Sequence, residues 1–209
     1  MTSARAAAAE QVVLELYGHQ AARISQYVDI LATKGVAYGL LGPKEADRVW
    51  ERHILNSAAL GGLIEPDATV IDVGSGAGLP GIPLALLRPD LRVTLLEPLL
   101  RRSTFLVEVV NELQVTAQVA VVRARAEDHA ERYDIVVARA VAPLDRLIGW
   151  CNPLRRSGGV ILAVKGRNAT TEIEQAAEVL SQHRLAAELV TPRADPRAEA
   201  ASVVRITDS

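Results

Sequence analysis

At 209 residues, 49% hydrophobic and 23% charged, the chain has enough apolar mass for one sizeable core plus a small extension, which excludes wholesale disorder. Aromatic residues make up only 3%, so the core must be aliphatic, and a base-stacking platform has little to be built from. The formal charge of −2 is uneven: residues 97–169 carry a net +3 and the remainder −5, which suits an anionic partner at one face.

The first residues lack the long apolar run of a secretion signal, and no stretch approaches the ~20 apolar residues of a membrane span. A cytoplasmic protein with no membrane association is expected, acting as a monomer. Residues 1–66 read as a helical N-terminal extension. Apolar residues recur at helical spacing in Glu10–Tyr17 and Gln20–Leu31. Pro43 suits the first position of a helix running on through Val49, Trp50, Ile54 and Leu55. From residue 67 to 209 strands and helices alternate. Strands are expected at Thr69–Val73, Arg92–Leu96, Ala117–Val122, Ile135–Ala138 and Val160–Val164. Helices are expected at Pro80–Leu87, Arg102–Leu113, Leu144–Cys151 and Ile173–Gln182, with Ala186–Val190 and Val203–Ile206 closing the sheet as a hairpin. This is an α/β, Rossmann-like pattern: a mostly parallel, doubly wound sheet with an antiparallel C-terminal strand and ligands at the carboxyl ends of the strands. Cys151, the single cysteine, permits no internal disulfide and no cysteine-based zinc site, and reads as a small buried hydrophobe. No metal is expected.

The chemistry concentrates in Asp72-Val73-Gly74-Ser75-Gly76-Ala77-Gly78. Gly76-x-Gly78-x-x-Gly81 matches the dinucleotide fingerprint, whereas Asp72-x-Gly74-x-Gly76-x-Gly78 matches a loop for S-adenosylmethionine. The acid separates the two. A carboxylate repels the pyrophosphate of a dinucleotide but attracts a sulfonium and an ammonium. Glu97 ends the second strand, where its carboxylate can accept both ribose hydroxyls. Glu127, after Ala126, can meet the adenine edge or simply start a helix.

Several runs together resemble one family: Arg52-His53-Ile54-Leu55-Asn56-Ser57, Gly78-Leu79-Pro80-Gly81-Ile82-Pro83-Leu84, Ala138-Arg139-Ala140 and Lys165-Gly166. Over roughly residues 45–170 the chain looks like the bacterial small-subunit rRNA guanine-N7 methyltransferases, the glucose-inhibited division protein B family. The resemblance implies cofactor contacts at Gly74, Leu79, Ala126, Glu127 and Arg139, beside Gly76 and Glu97 from the loop reading. It implies methyl transfer from S-adenosylmethionine to N7 of a guanine in 16S rRNA near the decoding site, on naked rRNA or the small ribosomal subunit. An N7 target agrees with the residues. The fourth strand leads to Ala138-Arg139-Ala140-Val141-Ala142-Pro143, not to the Asn/Asp-Pro-Pro-aromatic motif that holds exocyclic amines. N7 carries no proton, so no general base is essential, only positioning and electrostatics. Arg139 is the candidate for positioning substrate. His53, Arg101, Arg102 and Lys165 are candidate RNA contacts. The alternatives are a nicotinamide-dependent oxidoreductase, a non-catalytic RNA- or ribosome-binding module of the same fold, and a small-molecule methyltransferase.

Overall fold

The computed structural model describes residues 2–42, 45 and 48–209. Helix α1 (Thr2–Tyr17) begins earlier than its apolar spacing suggests, because the Ala6–Ala9 run is strongly helix-forming. Helix α2 (Ala21–Ile30) buries Ile24, Tyr27, Val28 and Ile30, the stripe its sequence predicts. The expected helix start at Pro43 lies outside the described residues. Its continuation is a wide π-type turn, Val49–Ile54, that runs into α3 (Leu55–Ala58). Among the described residues, no helix is long and apolar enough to cross a membrane.

The sheet contains β1 (Thr69–Val73), β2 (Arg92–Leu96), β3 (Val119–Val122), β4 (Tyr133–Arg139), β5 (Arg155–Val164), β6 (Leu185–Val190) and β7 (Val203–Asp208). Their order is β3-β2-β1-β4-β5-β7-β6. Only β7 runs against its neighbours β5 and β6, so the expected mostly parallel sheet with a reversed C-terminal strand is what forms. Strand β5 starts five residues earlier than expected, because Ser157-Gly158-Gly159 is absorbed as an irregularity in the strand, with Gly158 at φ +74°. The single helix expected after β5 is two, α7 (Ala169–Gln175) and α8 (Ala177–Gln182). Helices α4 (Gly81–Leu87), α5 (Leu100–Glu112) and α6 (Leu144–Cys151) fill the β1–β2, β2–β3 and β4–β5 crossovers, and the β3–β4 crossover holds only the short 3-10 turn Ala126–Asp128.

Alternation along the strands divides the core. Val70, Val93, Leu95, Ile135, Val137 and Leu162 face the layer of α1, α2, α4 and α5. Ile71, Val73, Leu96, Val136, Ala138, Ile161 and Ala163 face the layer of α6 to α8, where Cys151 is fully buried. The N-terminal helices thus share one core with the sheet. Arg88, after α4, fastens the connection between them. Its guanidinium donates to the carbonyls of Gly61 (2.6 Å) and Ile64 (3.0 Å) and pairs with Asp90 (2.6 Å). Replacing Arg88 with Met keeps the apolar stem but leaves both carbonyls without their donor. We expect a loss of about 2–3 kcal/mol in urea unfolding.

Candidate active site

Strands β1 and β4 are neighbours from which the sheet winds in opposite directions, so the chain leaves their carboxyl ends to opposite sides and a crevice opens there. Gly74, the first residue after β1, bonds back to Leu96 O of β2 (2.8 Å). Gly74, Gly76 and Gly78 have φ of +70°, +57° and +95°, a region that disfavours any residue with a Cβ. A Cβ on Gly74 would also meet Val141 at 3.0 Å. Asp72 does not face the crevice as its charge first suggests. It shares the α4 side of the sheet with Val70, is fully buried, and accepts the Gly81 amide at Oδ2 (2.9 Å). Among the described residues its Oδ1 has no hydrogen-bond partner. Burial pushes its carboxyl up to about 7. Tyr27 of α2 donates to Ala77 O (2.8 Å), so the N-terminal extension props the glycine loop from behind.

A cavity of about 410 Å³ lies over the end of β2. Gly74, Glu97, Ala126 and Glu127, four of the expected cofactor residues, line it, with apolar walls from Leu96, Pro98, Leu99, Ala124 and Trp150. The almost buried Glu97 carboxylate accepts Gly76 N and Leu99 N, each at 3.0 Å, which leaves lone pairs for a vicinal diol. An apolar slot with one oriented carboxylate fits an adenosyl group. A Cβ on Gly76 would have open space, so that glycine serves backbone conformation. Gly76 and Leu79 do not line either cavity. Gly76 holds Glu97, and the Leu79 amide bonds to Ser75 O inside the loop (3.2 Å).

A second, polar cavity of about 840 Å³ meets the first at Ala140 and Val141, which line both. Arg139 lies here, not with the other cofactor candidates. It points to the same side of the sheet as Ile135 and Val137, towards the N-terminal helices, and its Nη2 donates to Nδ1 of His53. Burial and the cations Arg139, Arg52 and Arg48 push His53 down to about 3, so the ring is neutral. An arginine cannot accept, so Nδ1 must, and the ring proton sits on Nε2, which lies 3.1 Å from Glu45 Oε2. Arg139 Nη1 is buried without a partner among the described residues. Lys165, one residue past the Arg139 partner Val164, emerges on the opposite face. It donates to Ala142 O and to Glu172 Oε2, both at 2.7 Å, and Glu172 also accepts Leu144 N (3.0 Å). This clasp pins the 140–143 loop, in which Ala140 takes the strained φ of +53°.

Of the candidate RNA contacts, His53 and Lys165 are therefore held inside the larger cavity, with two of the three Lys165 ammonium donors already used. Arg102 lines the smaller cavity, and Arg101 lies exposed over the Tyr38 ring (5.1 Å). The sequence reading missed Glu45, Arg52, Asn168, Thr171, Glu172 and Gln175 as lining residues. Only Arg52 carried a signal, as the neighbour of His53. Arg101, Arg102, Arg123, Arg125, Arg146 and Arg167 all lie exposed near the carboxyl ends of β2 to β5, and among the described residues none has an ion-pair partner.

The sequence profile of the rRNA small subunit methyltransferase G family matches residues 20–198. The ribosomal RNA small subunit methyltransferase G of Kineococcus radiotolerans is 53% identical over 174 residues, covering 82% of this chain and 68% of that protein. Its namesake from Mycolicibacterium smegmatis is 56% identical over 170 residues, 79% of this chain and 72% of that protein. Among solved structures, a Bacillus cereus O-methyltransferase in complex with SAH superposes with a TM-score of 0.59 at 15% identity, over 88% of this chain and 91% of that one. The O-methyltransferase NcsB1 from neocarzinostatin biosynthesis, in complex with S-adenosylmethionine, gives 0.61 at 18% identity, over 87% and 60%. These two likenesses establish the fold.

The buried Asp72 makes a prediction independent of any ligand. Its carboxyl ionises less readily in the fold than in the unfolded chain, so ionisation weakens the fold. That loss accumulates as pH rises from about 4 to about 7, then levels off. Asp72→Asn keeps an acceptor for Gly81 N and removes the charge. The variant is expected to match wild type near pH 4 and to exceed it by about 4 kcal/mol at pH 8, measured by urea unfolding of the ligand-free protein. An equal gap at both pH values would contradict this account.

Proposed function

The chain belongs to the rRNA small subunit methyltransferase G family, and from that premise we propose that it transfers the methyl group of S-adenosylmethionine to N7 of a guanine in 16S rRNA near the decoding site. The catalytic domain is residues 67–209, with 1–66 as the extension that buttresses it. It acts as a monomer in the cytoplasm, where the small ribosomal subunit is its partner. Family membership sets aside the nicotinamide reading of the glycine loop.

Glu97, oriented by the Gly76 amide, would hold the ribose with the backbone at Gly74, and Ala126 and Glu127 the adenine edge. When bound, S-adenosylmethionine supplies an electrophilic methyl group at a sulfonium. The chain's own work is then to place a nucleophile. The larger cavity offers the space for a base, and Ala140 and Val141 form the boundary across which the two sites meet. Arg139 presents a donor there, suited to guanine O6 or a phosphate. The six unpaired arginines on the rim suit the RNA backbone.

One observation carries the N7 assignment. Among the described residues, the proton-accepting groups of the larger cavity each already hold a donor or a cation, while His53 Nε2, which carries the ring proton, has no hydrogen-bond partner. His53 is neutral with Nδ1 occupied, Glu45 pairs with Arg52 (3.1 Å), and Glu172 pairs with Lys165 (2.7 Å). That arrangement suits a nucleophile with no proton to surrender. The test supplies labelled S-adenosylmethionine and small subunits from cells lacking this protein, then maps the label by strand scission specific for N7-methylguanine. One labelled guanine near the decoding site is expected. Label on an exocyclic amine, or none, would overturn the reading. At saturating RNA and cofactor, the single-turnover rate is expected to stay flat from about pH 7 to about pH 9, whereas a base-dependent step would rise about tenfold per unit below the base's pKa.

A further inference from the structure

We propose that His53 is a positioning residue that sets the orientation of the Arg139 guanidinium and so determines where its remaining donor meets the reacting base. The inference rests on the methyl-transfer reading above and adds to it a role for a side chain that reaches the site only through another.

Three observations lead to it. Arg139 ends β4 with its side chain turned towards the N-terminal helices, and there its Nη2 is held by His53 Nδ1. Its Nη1 is buried without a partner among the described residues, so the guanidinium is held on one side and left with an unsatisfied donor on the other. An arginine left to its own rotamers would spread over many orientations, and fixing one is worth entropy that the reaction otherwise has to find. His53 is itself fixed. It is 6% exposed, sits in the wide turn Val49–Ile54, and its backbone carbonyl accepts the Ser57 hydroxyl at 2.6 Å. Arg139 can only donate, so Nδ1 accepts and the ring proton sits on Nε2, which lies 3.1 Å from Glu45 Oε2 without making a hydrogen bond. The charged groups around the ring are Glu45, Arg48, Arg52 and Arg139. The three cations disfavour a protonated imidazole, whose Nδ1–H would collide with the guanidinium donor. A ring that accepts at Nδ1 cannot take a proton from substrate there, so its contribution is orientation.

Two variants separate orientation from bulk. His53→Asn places an amide oxygen where Nδ1 stands and keeps an acceptor for Arg139. His53→Gln moves its polar atoms to the Nε2 position and removes that acceptor. Single-turnover methyl transfer is measured for both, with melting temperature, S-adenosylmethionine affinity and the KM for RNA. His53→Asn is expected to stay within about threefold of the wild-type rate, and His53→Gln to lose about thirtyfold in kcat with KM for RNA and cofactor affinity changed less than about twofold. Equal losses, equal retention, or a better rate in His53→Gln would each overturn the role. A wild type that fails to methylate rRNA would instead strike the functional reading. For that case, and for a variant that fails to fold, ring ¹⁵N shifts of histidine-labelled wild type give a separate check. The His53 signal is expected to show an unprotonated Nδ1 and a protonated Nε2, and to move in Arg139→Lys. A protonated Nδ1, or a signal indifferent to Arg139, would refute the contact itself.

Discussion

The site depends on one buried hydrogen bond, from the Gly81 amide to the Asp72 carboxylate. Asp72 lies in β1 and Gly81 opens α4, so this bond closes the intervening glycine loop into a fixed curve. Burying a carboxylate is costly, and the cost appears in the raised pKa and the unpartnered Oδ1. A neutral residue could make the same bond at less expense. The charge therefore has another use: it sets a negative potential beneath a loop that must receive a cation, at a distance where water does not screen it. Asp72 acts through the field and the loop, and touches nothing in either cavity.

Sheet parity explains how two cations at adjacent strand ends come to do different work. Arg139 follows Ile135 and Val137 onto the side of the N-terminal helices, where His53 waits. Lys165 follows Ile161 and Ala163 onto the other side, where α7 supplies Glu172. One cation keeps a buried donor without a partner among the described residues, beside the boundary of the two cavities. The other clamps the loop that forms that boundary and holds Ala140 in a conformation that a residue with a Cβ adopts at a cost of order 1–2 kcal/mol.

This parity also marks what could be read in advance. Strand rhythm and the glycine triplet place β1, β2 and the smaller cavity correctly, because periodicity and backbone freedom are local properties. Glu97 is readable because it closes a strand at a fixed distance from the loop. Arg139 is readable as important, but its position in the larger cavity depends on what packs against its face of β4, and His53, which does so, lies 86 residues away in sequence. Lys165 is misjudged as a free cation because its partner Glu172 lies on α7, whose start at Ala169 no cap or apolar spacing announces. Glu45 is hidden for the same reason: pairing across the fold leaves no trace in spacing.

The helical extension then takes on a definite purpose. Its helices contribute no residue to the sheet, yet Tyr27 fixes the glycine loop through Ala77 O, Tyr17 reaches Pro83 O of α4 (3.1 Å), and the turn Val49–Ile54 delivers His53 to Arg139. The sheet alone would present Arg139 on a bare face with nothing to orient it. Conversely the extension is welded to the sheet by a shared core and by Arg88. Each part completes the other: the sheet supplies the crevice between β1 and β4, and the extension supplies one wall of the open polar cavity beside it. An alteration in α2 or in the Val49–Ile54 turn therefore reaches the reaction boundary through two contacts, without touching either ligand.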